Sequence, residues 1–344
     1  MTEGREGRSM RAFLVRVGLV AGVMILSIVG ATSPCSGSEA QASATSSNSV
    51  YAHSPYPVLF SAASVGPNPA VDPSASPAGA NNWSCKPSAQ HPDPVVLVHG
   101  LGATMAENWS TMSPLLADNG YCVFALTYGL DPGESYVGGV EPMEVSSHQL
   151  ASFISKVLAA TGAAKVDLVG HSEGTVMPQY YLKFLGGAAV VKRYVAIAPL
   201  YQGTTLYGLT AGLTALETYF PSLAEPIESV VASECGSCLE FVHGSAFLAH
   251  LYADGVYAVP GVTYTTIMSR DDELVIPYTS GELNAPNATN IVVQHQCKLD
   301  FSEHLTLAFD PVVGQDILNA LDPADAHPAP CTLVLPGLGA PSFP

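Results

Sequence analysis

The segment Val166-Asp167-Leu168-Val169-Gly170-His171-Ser172-Glu173-Gly174 carries the strongest chemical signal in the chain. An apolar run leads into a serine with a glycine two residues to either side, and helix-period sequence follows from Thr175 to Phe184. A strand that delivers a serine to its carboxyl end, and a sharp turn that lifts the hydroxyl above the sheet, make a nucleophile elbow; Gly170 and Gly174 lack the Cβ atoms that would collide in it. The chemistry such a serine performs is attack on a carbonyl carbon, through an acyl intermediate. Attack places negative charge on the carbonyl oxygen, and Val95-Val96-Leu97-Val98-His99-Gly100-Leu101-Gly102-Ala103, an apolar run entering a Gly-rich loop, offers backbone N–H groups to receive it. We assign the N–H groups of Leu101 and Glu173 as that oxyanion hole. His99 is expected to brace the loop through a side-chain hydrogen bond, because in this architecture the base follows the nucleophile in sequence.

The order serine, acid, histidine confines the base to residues after Ser172. His243, His250, His295, His304 and, in a Pro-rich tail, His327 qualify, with His171 too close to the nucleophile to serve. His304 stands in a loop-like run before the last helical stretch, where such a base should be delivered, and His295, at a strand end beside Cys297, competes with it. The acid should end a strand; Tyr264 to Met268 supplies one, and Asp271, Asp272 and Glu273 follow. Adjacent residues in extended backbone point opposite ways, so only one of the two aspartates can face the imidazole.

Positioning these groups requires a sheet. Val95 to Val98, Tyr121 to Leu126, Val166 to Val169, Tyr194 to Ile197, Tyr264 to Ile267 and Asn290 to Val293 are short, β-branched and mostly unalternated, as buried parallel strands are. Helix-period stretches lie between them, such as Leu150, Phe153, Ile154, Val157 and Leu158, or Val312, Ile317 and Leu321. The alternation predicts an α/β fold, a mostly parallel sheet with helices on both faces. One segment breaks the rhythm: Leu206, Leu209, Leu213, Leu216, Phe220 and Leu223 recur at helical spacing between Gly203 and Glu240, a stretch with five Glu and no Lys or Arg. Residues 203–240 read as a helical insertion, either packed on the core or capping a pocket like a lid.

Twelve Lys+Arg against 29 Asp+Glu give a net charge of −17, which excludes a basic surface for nucleic acid. With 48% hydrophobic and 12% charged residues the chain is not disordered as a whole. Arg5, Arg8, Arg11 and Arg16 precede an uncharged stretch from Val17 to Ala31, and Ala40-Gln41-Ala42 fits a signal-peptidase site, so residues 1–42 are expected to be a signal peptide cut after Ala42. A retained signal anchor is the alternative; Pro34 before Cys35 disfavours a lipoprotein. Cleavage removes four Arg and three Glu, leaves a charge of −18, and takes Cys35 away so that six cysteines remain. Those cysteines fit a secreted chain and allow fifteen pairings. Residues 43–82, rich in Ser, Ala and Pro, read as an arm, 83–331 as the domain, and 332–344 as a tail.

Gly170-His171-Ser172-Glu173-Gly174 with Tyr180-Tyr181-Leu182-Lys183-Phe184-Leu185-Gly186-Gly187, Tyr264-Thr265-Thr266-Ile267, Arg270-Asp271-Asp272-Glu273-Leu274-Val275, and His304 ahead of Phe309-Asp310-Pro311 resemble the class 2 secreted triacylglycerol lipases of actinobacteria, from about Asn82 to Pro323. The resemblance implies an α/β-hydrolase that cleaves acylglycerols and simpler carboxylic esters without an organic cofactor, and no residue is assigned as a metal ligand. It makes Ser172 the nucleophile, Asp272 the orienting acid and His304 the base, and it selects the pairs Cys85–Cys122, Cys235–Cys238 and Cys297–Cys331. Glu173 stands where a Gln is frequent in that family, and Leu101 where a Thr hydroxyl can add a donor. The implied partners are an acylglycerol or other ester at a lipid–water interface, with the chain a monomer. A cutinase-like polyester hydrolase or short-chain carboxylesterase is the nearest rival, an amidase is disfavoured by the Leu-rich, charge-poor pocket sequence, and a cell-envelope binding protein has no use for all three of Ser172, Asp272 and His304.

Overall fold

The computed structural model describes residues 55–65, 72–130, 137–205, 231 and 235–340. The whole of the expected signal peptide, much of the arm, and the centre of the 203–240 insertion with all its stripe residues lie outside the described residues.

Among the described residues, six parallel strands form one sheet in the order β2-β1-β3-β4-β5-β6, with β1 Val95–Val98, β2 Val123–Leu126, β3 Val166–His171, β4 Val191–Ile197, β5 Thr263–Met268 and β6 Ala288–Val292. The chain runs outward from β1 to β2, then crosses back to lay β3 on the other side of β1, so the winding reverses at β1/β3. Ligand sites of open parallel sheets form outside the carboxyl ends of the strands at such a reversal.

The unalternated apolar strands are explained by two cores. Val95 and Leu97 point into a layer with Trp109, Met112, Leu115 and Ile317, while Val96 and Val98 point into the opposite layer with Phe124, Leu150, Ile154 and Val176. The layers are built by α2 (Met112–Asp118) and α7 (Pro311–Leu321) on one face, and α3 (Met143–Thr161), α4 (Glu173–Phe184) and α5 (Ala246–Leu251) on the other. Two short helices, α1 (Met105–Asn108) and α6 (Val293–Gln296), lie in the connections. The helix ends are specified locally. Thr104 and Glu107 cap α1 reciprocally, Gly162 ends α3 in left-handed backbone, and the Asp310 carboxylate accepts from the Val312 N–H at 2.7 Å, ahead of Pro311, to start α7.

Strand limits differ from the sequence reading by one to three residues. β2 starts at Val123 because the Tyr121 N–H is bonded to Leu116 of the preceding helix, and β6 ends at Val292 because Val293 opens a helical turn. The domain also reaches past the expected boundaries at 82/83 and 331/332. Asn81 donates to the Ala125 carbonyl at 2.9 Å and accepts from its N–H at 3.0 Å, so the arm covers the free edge of β2, and Phe60 is buried in the core. Val334 and Ala340 of the tail are buried in the same layer, and Ala340 donates to the Phe60 carbonyl at 2.7 Å.

Disulfides join Cys85 to Cys122, Cys235 to Cys238, and Cys297 to Cys331. The first fastens the segment just after the arm to the residue before β2, and the third fastens the end of α6 to the residue before the tail. A chain beginning at Ser43 should therefore show no titratable thiol when denatured without reductant; a free thiol would contradict this pairing. Reduction should cost about 2–4 kcal/mol for each of the bridges spanning 37 and 34 residues, and less for Cys235–Cys238, as read by denaturant unfolding.

Candidate active site

Ser172 sits between β3 and α4 with φ 55° and ψ −122°, a backbone state that costs a non-glycine residue about 1–3 kcal/mol. Its surroundings over-determine that state. The Ser172 N–H donates to the Ile197 carbonyl at 3.0 Å, and the Ser172 carbonyl accepts from both the N–H and the hydroxyl of Thr175, at 2.8 and 2.6 Å. Gly170 and Gly174 are obligatory here: a Cβ on Gly170 would strike the Gly174 carbonyl, and one on Gly174 would strike that of Val98.

His304, from the loop between α6 and α7, accepts the Ser172 hydroxyl at Nε2 over 2.8 Å. Its other ring nitrogen, Nδ1, donates to the Asp272 carboxylate at 2.9 and 3.0 Å, which fixes the proton on Nδ1 and leaves the Nε2 lone pair facing the hydroxyl. Asp272 follows β5 and is held by the N–H groups of Leu274 and Val275, at 3.0 and 2.7 Å. The backbone here is a turn rather than extended, since Asp272 N–H reaches back to the Ser269 carbonyl, yet the two aspartates still diverge: Asp272 is buried and Asp271 exposed. His295, His243, His250 and His327 are all exposed, and none is hydrogen-bonded to Ser172 or Asp272.

The two arms of the site are locked together by residues that the sequence did not advertise. The Ser269 hydroxyl donates to the Ser302 carbonyl at 2.5 Å and accepts from Gln294 and the Asp271 N–H, so one buried hydroxyl ties the acid-bearing turn to the loop carrying His304. His171 spans the Asn108 side chain and the His304 carbonyl, at 3.0 and 2.9 Å. Burial, together with neighbouring His304, pushes its pKa down to about 3, so it stays neutral. His99 braces the first loop: Nδ1 donates to the Gly100 carbonyl, and Nε2 accepts the Tyr128 N–H at 3.1 Å. Single polar residues such as Asn108, Tyr128, Ser269 and Gln294 form no local pattern, so no sequence signal marks them.

The N–H groups of Gly100 and Gly102 are spent on Asn108 and the Gly138 carbonyl. Among the described residues no hydrogen bond from the Leu101 N–H occurs, and Glu173 is the first residue of α4, whose N–H the helix leaves unpaired by geometry. Loop and helix end thus bring two donors beside Ser172. The Glu173 side chain is buried beneath them, with its carboxyl pushed well above the ordinary range by burial. For His304, burial disfavours the charged ring, but the carboxylates of Asp272, Glu273 and Glu303 outweigh it and raise its pKa above the usual imidazole value.

A hydroxyl on a strained strand-to-helix turn, an imidazole and a buried carboxylate from later loops, and a parallel sheet wound in this order define an α/β-hydrolase. The sequence model of the class 2 lipase family matches residues 92–316, and the chain belongs to that family. Relatives called triacylglycerol lipase from Pseudarthrobacter phenanthrenivorans and Burkholderia plantarii are each 33% identical over 111 residues, which is 30% of this chain and 30% and 27% of theirs. The match therefore spans under a third of those relatives' length. Aspergillus fumigatus lipase B has a similar fold, with a TM-score of 0.53 at 19% identity over 74% of this chain and 56% of that one.

The His304 environment makes a pH prediction. A base must be neutral, so activity is lost as pH falls through its pKa; with that pKa raised, the acid limb of kcat/KM for ester hydrolysis should lie above the ordinary imidazole value of about 6.5. Asp272→Asn should move the limb to lower pH and slow turnover by about three to four orders of magnitude. Asp271→Asn should do neither, and equal effects of both would refute the assignment.

Proposed function

We propose that this protein is a secreted serine hydrolase of carboxylic esters, with triacylglycerols as its main substrates. The observation that carries the reading is the continuous Ser172–His304–Asp272 hydrogen-bond chain in a member of a lipase family. In this reading His304 Nε2 takes the Ser172 proton as Oγ attacks the ester carbonyl. The oxygen gains negative charge facing the N–H groups of Leu101 and Glu173, where each donor is worth about 3–4 kcal/mol of transition-state stabilisation. The alcohol leaves with the proton from Nε2. Water then gives a proton to His304 while its oxygen attacks the acyl-enzyme, and the carboxylic acid departs as Ser172 recovers its proton. Asp272 keeps the ring oriented and compensates the imidazolium that forms twice per cycle.

The family and the names of the matched relatives support acylglycerol as substrate. The three disulfides and the signal-like N-terminus support export, and among the described residues no helix is long and apolar enough to cross a membrane. The chain works as a monomer at a lipid–water interface in this reading.

Ser172→Ala and His304→Ala should each lower hydrolysis of p-nitrophenyl esters by about three to six orders of magnitude without unfolding the protein, and His295→Ala should cost less than tenfold. Loss of turnover on His295→Ala with retention on His304→Ala would overturn the assignment. Rates across C2 to C16 esters, with emulsified triglyceride and a polyester film alongside, decide the substrate. A lipase peaks on the longer chains and on the emulsion, whereas turnover confined to C2–C4, or faster on the film, replaces the lipase reading by a carboxylesterase or a polyester hydrolase.

A further inference from the structure

Glu173, next to the nucleophile, is 1% exposed, and its carboxyl has an unusual set of neighbours. Its Oε2 lies 3.2 Å from the Ser237 hydroxyl, in the turn closed by Cys235–Cys238, while Oε1 is buried without a hydrogen-bond partner, and the Tyr128 hydroxyl is near enough to influence the carboxyl. Each of those hydroxyls has one proton to give. Ser237 is placed to give its proton to the Gly139 carbonyl at 2.6 Å, and Tyr128 to give its own to the His99 carbonyl at 2.7 Å. With both protons committed, both oxygens turn lone pairs toward Glu173. An ionised carboxylate, which only accepts, has nothing to accept there; a protonated carboxyl has a donor for one of them. The titratable groups facing it from the packed elements are Tyr128, His99 stacked on that ring with its pKa pushed down to about 4 by burial, and Glu240 at the end of the disulfide turn, whose negative charge also favours a proton on Glu173.

The same carboxyl packs against Gly139 beside Leu101. A Cβ on Gly139 would fall 3.3 Å from both Glu173 oxygens and 3.1 Å from the Leu101 Cα, so this glycine is packed between the two residues assigned as oxyanion donors. Gly138 holds the same loop from behind by accepting the Gly102 N–H at 2.8 Å.

We propose that Glu173 acts as a neutral carboxylic acid that donates to the Ser237 hydroxyl and, with Ser237 thereby kept on the Gly139 carbonyl, clamps Gly139 against Leu101 so that the two oxyanion N–H groups keep their spacing. Glu173 is thus a positioning residue through its side chain, and the proposal rests on the ester-hydrolase reading above. Loss of its proton leaves a buried carboxylate without a donor. The nearest remedy is for the Ser237 hydroxyl to turn toward the carboxylate, which frees the Gly139 carbonyl and loosens the wall beside Leu101. The enzyme should then lose transition-state stabilisation rather than substrate affinity, and lose it on the alkaline side.

The test is the pH dependence of kcat and KM on a soluble short-chain ester for the parent, Glu173→Gln, Glu173→Ala and Glu240→Gln, each corrected for the Ser172→Ala rate and taken where circular dichroism shows the fold intact. Glutamine offers two amide protons, one for Ser237 and one for Tyr128, and has none to lose in this range. The expected result is an alkaline fall in the parent's kcat that persists in Glu240→Gln and is absent in Glu173→Gln. Glu173→Ala should lower kcat about ten- to a hundredfold with KM changed less than threefold, and Glu173→Gln should restore most of that loss. An alkaline fall retained in Glu173→Gln, no alkaline fall in the parent, or a Glu173→Ala enzyme with parental kcat would overturn the proposal. If alanine prevents folding, the glutamine profile decides alone. A parent that hydrolyses the ester no faster than Ser172→Ala would instead sink the ester-hydrolase reading, so the two failures are distinct.

Discussion

Where β3 hands over to α4, the backbone of Gly174 lies so close to the carbonyls of Val98 and His99 that no side chain fits between them. That approach follows from the central pairing of β1 with β3, in which Val98 stands opposite Gly170, and it decides much of what surrounds it. The helix must start at once, the serine must take a left-handed backbone, and its hydroxyl must stand clear of both strands. The strain is sustained because Ser172 is tied at both its N–H and its carbonyl, so relaxing the turn would break three hydrogen bonds together. The same closeness sets the loop after β1 beside the first turn of α4.

A second constraint is electrostatic. The site gathers several ionisable groups into a space with little water, and most are held uncharged by burial: His99, His171 and Glu173 all have their neutral forms favoured. His304 is the exception, because Asp272 supplies a countercharge within hydrogen-bond reach. In the proposed cycle this contrast favours His304 as the proton acceptor, because a proton moves most readily to the group whose charged form is already compensated, and leaves His99 and His171 as struts.

The strand-to-helix turn at Ser172, the sheet type and the positions of the strands along the chain were legible in the sequence because each rests on a local pattern: glycines flanking a serine, apolar runs of four to six residues, helical spacing between them. His304 was separable from His295 by its place before the last helix, and the structure puts the one against Ser172 and the other in solvent. Asp272, which the family resemblance selects, is the aspartate hydrogen-bonded to His304, whereas the extended backbone expected there is a turn. What was not legible depends on contacts between residues distant in sequence. Ser269 with Ser302, Asn108 with His171, and Asn81 with Ala125 are ordinary polar residues until the fold brings them together. Glu173 stood out in the sequence only as a carboxylate beside the nucleophile; the fold shows that it is buried, which favours its neutral form, and that it lies against Ser237 of the disulfide turn.

The pairing of arm and tail has a consequence for how the enzyme can be cut and rejoined. Ser61 bridges Gly339, and the N–H of Ala62 reaches the Leu338 carbonyl, so the first and last packed stretches run side by side. The tail in turn lies along Asp300 and Phe301, and its Gly337 N–H is held by Thr306, on either side of His304. The fold is therefore a nearly closed ring of chain. A short peptide joining the two packed stretches would close that ring and let new termini be opened on the far side of the sheet, whereas cutting into residues 60–62 or 334–340 would withdraw support from the histidine loop while leaving the six strands in place.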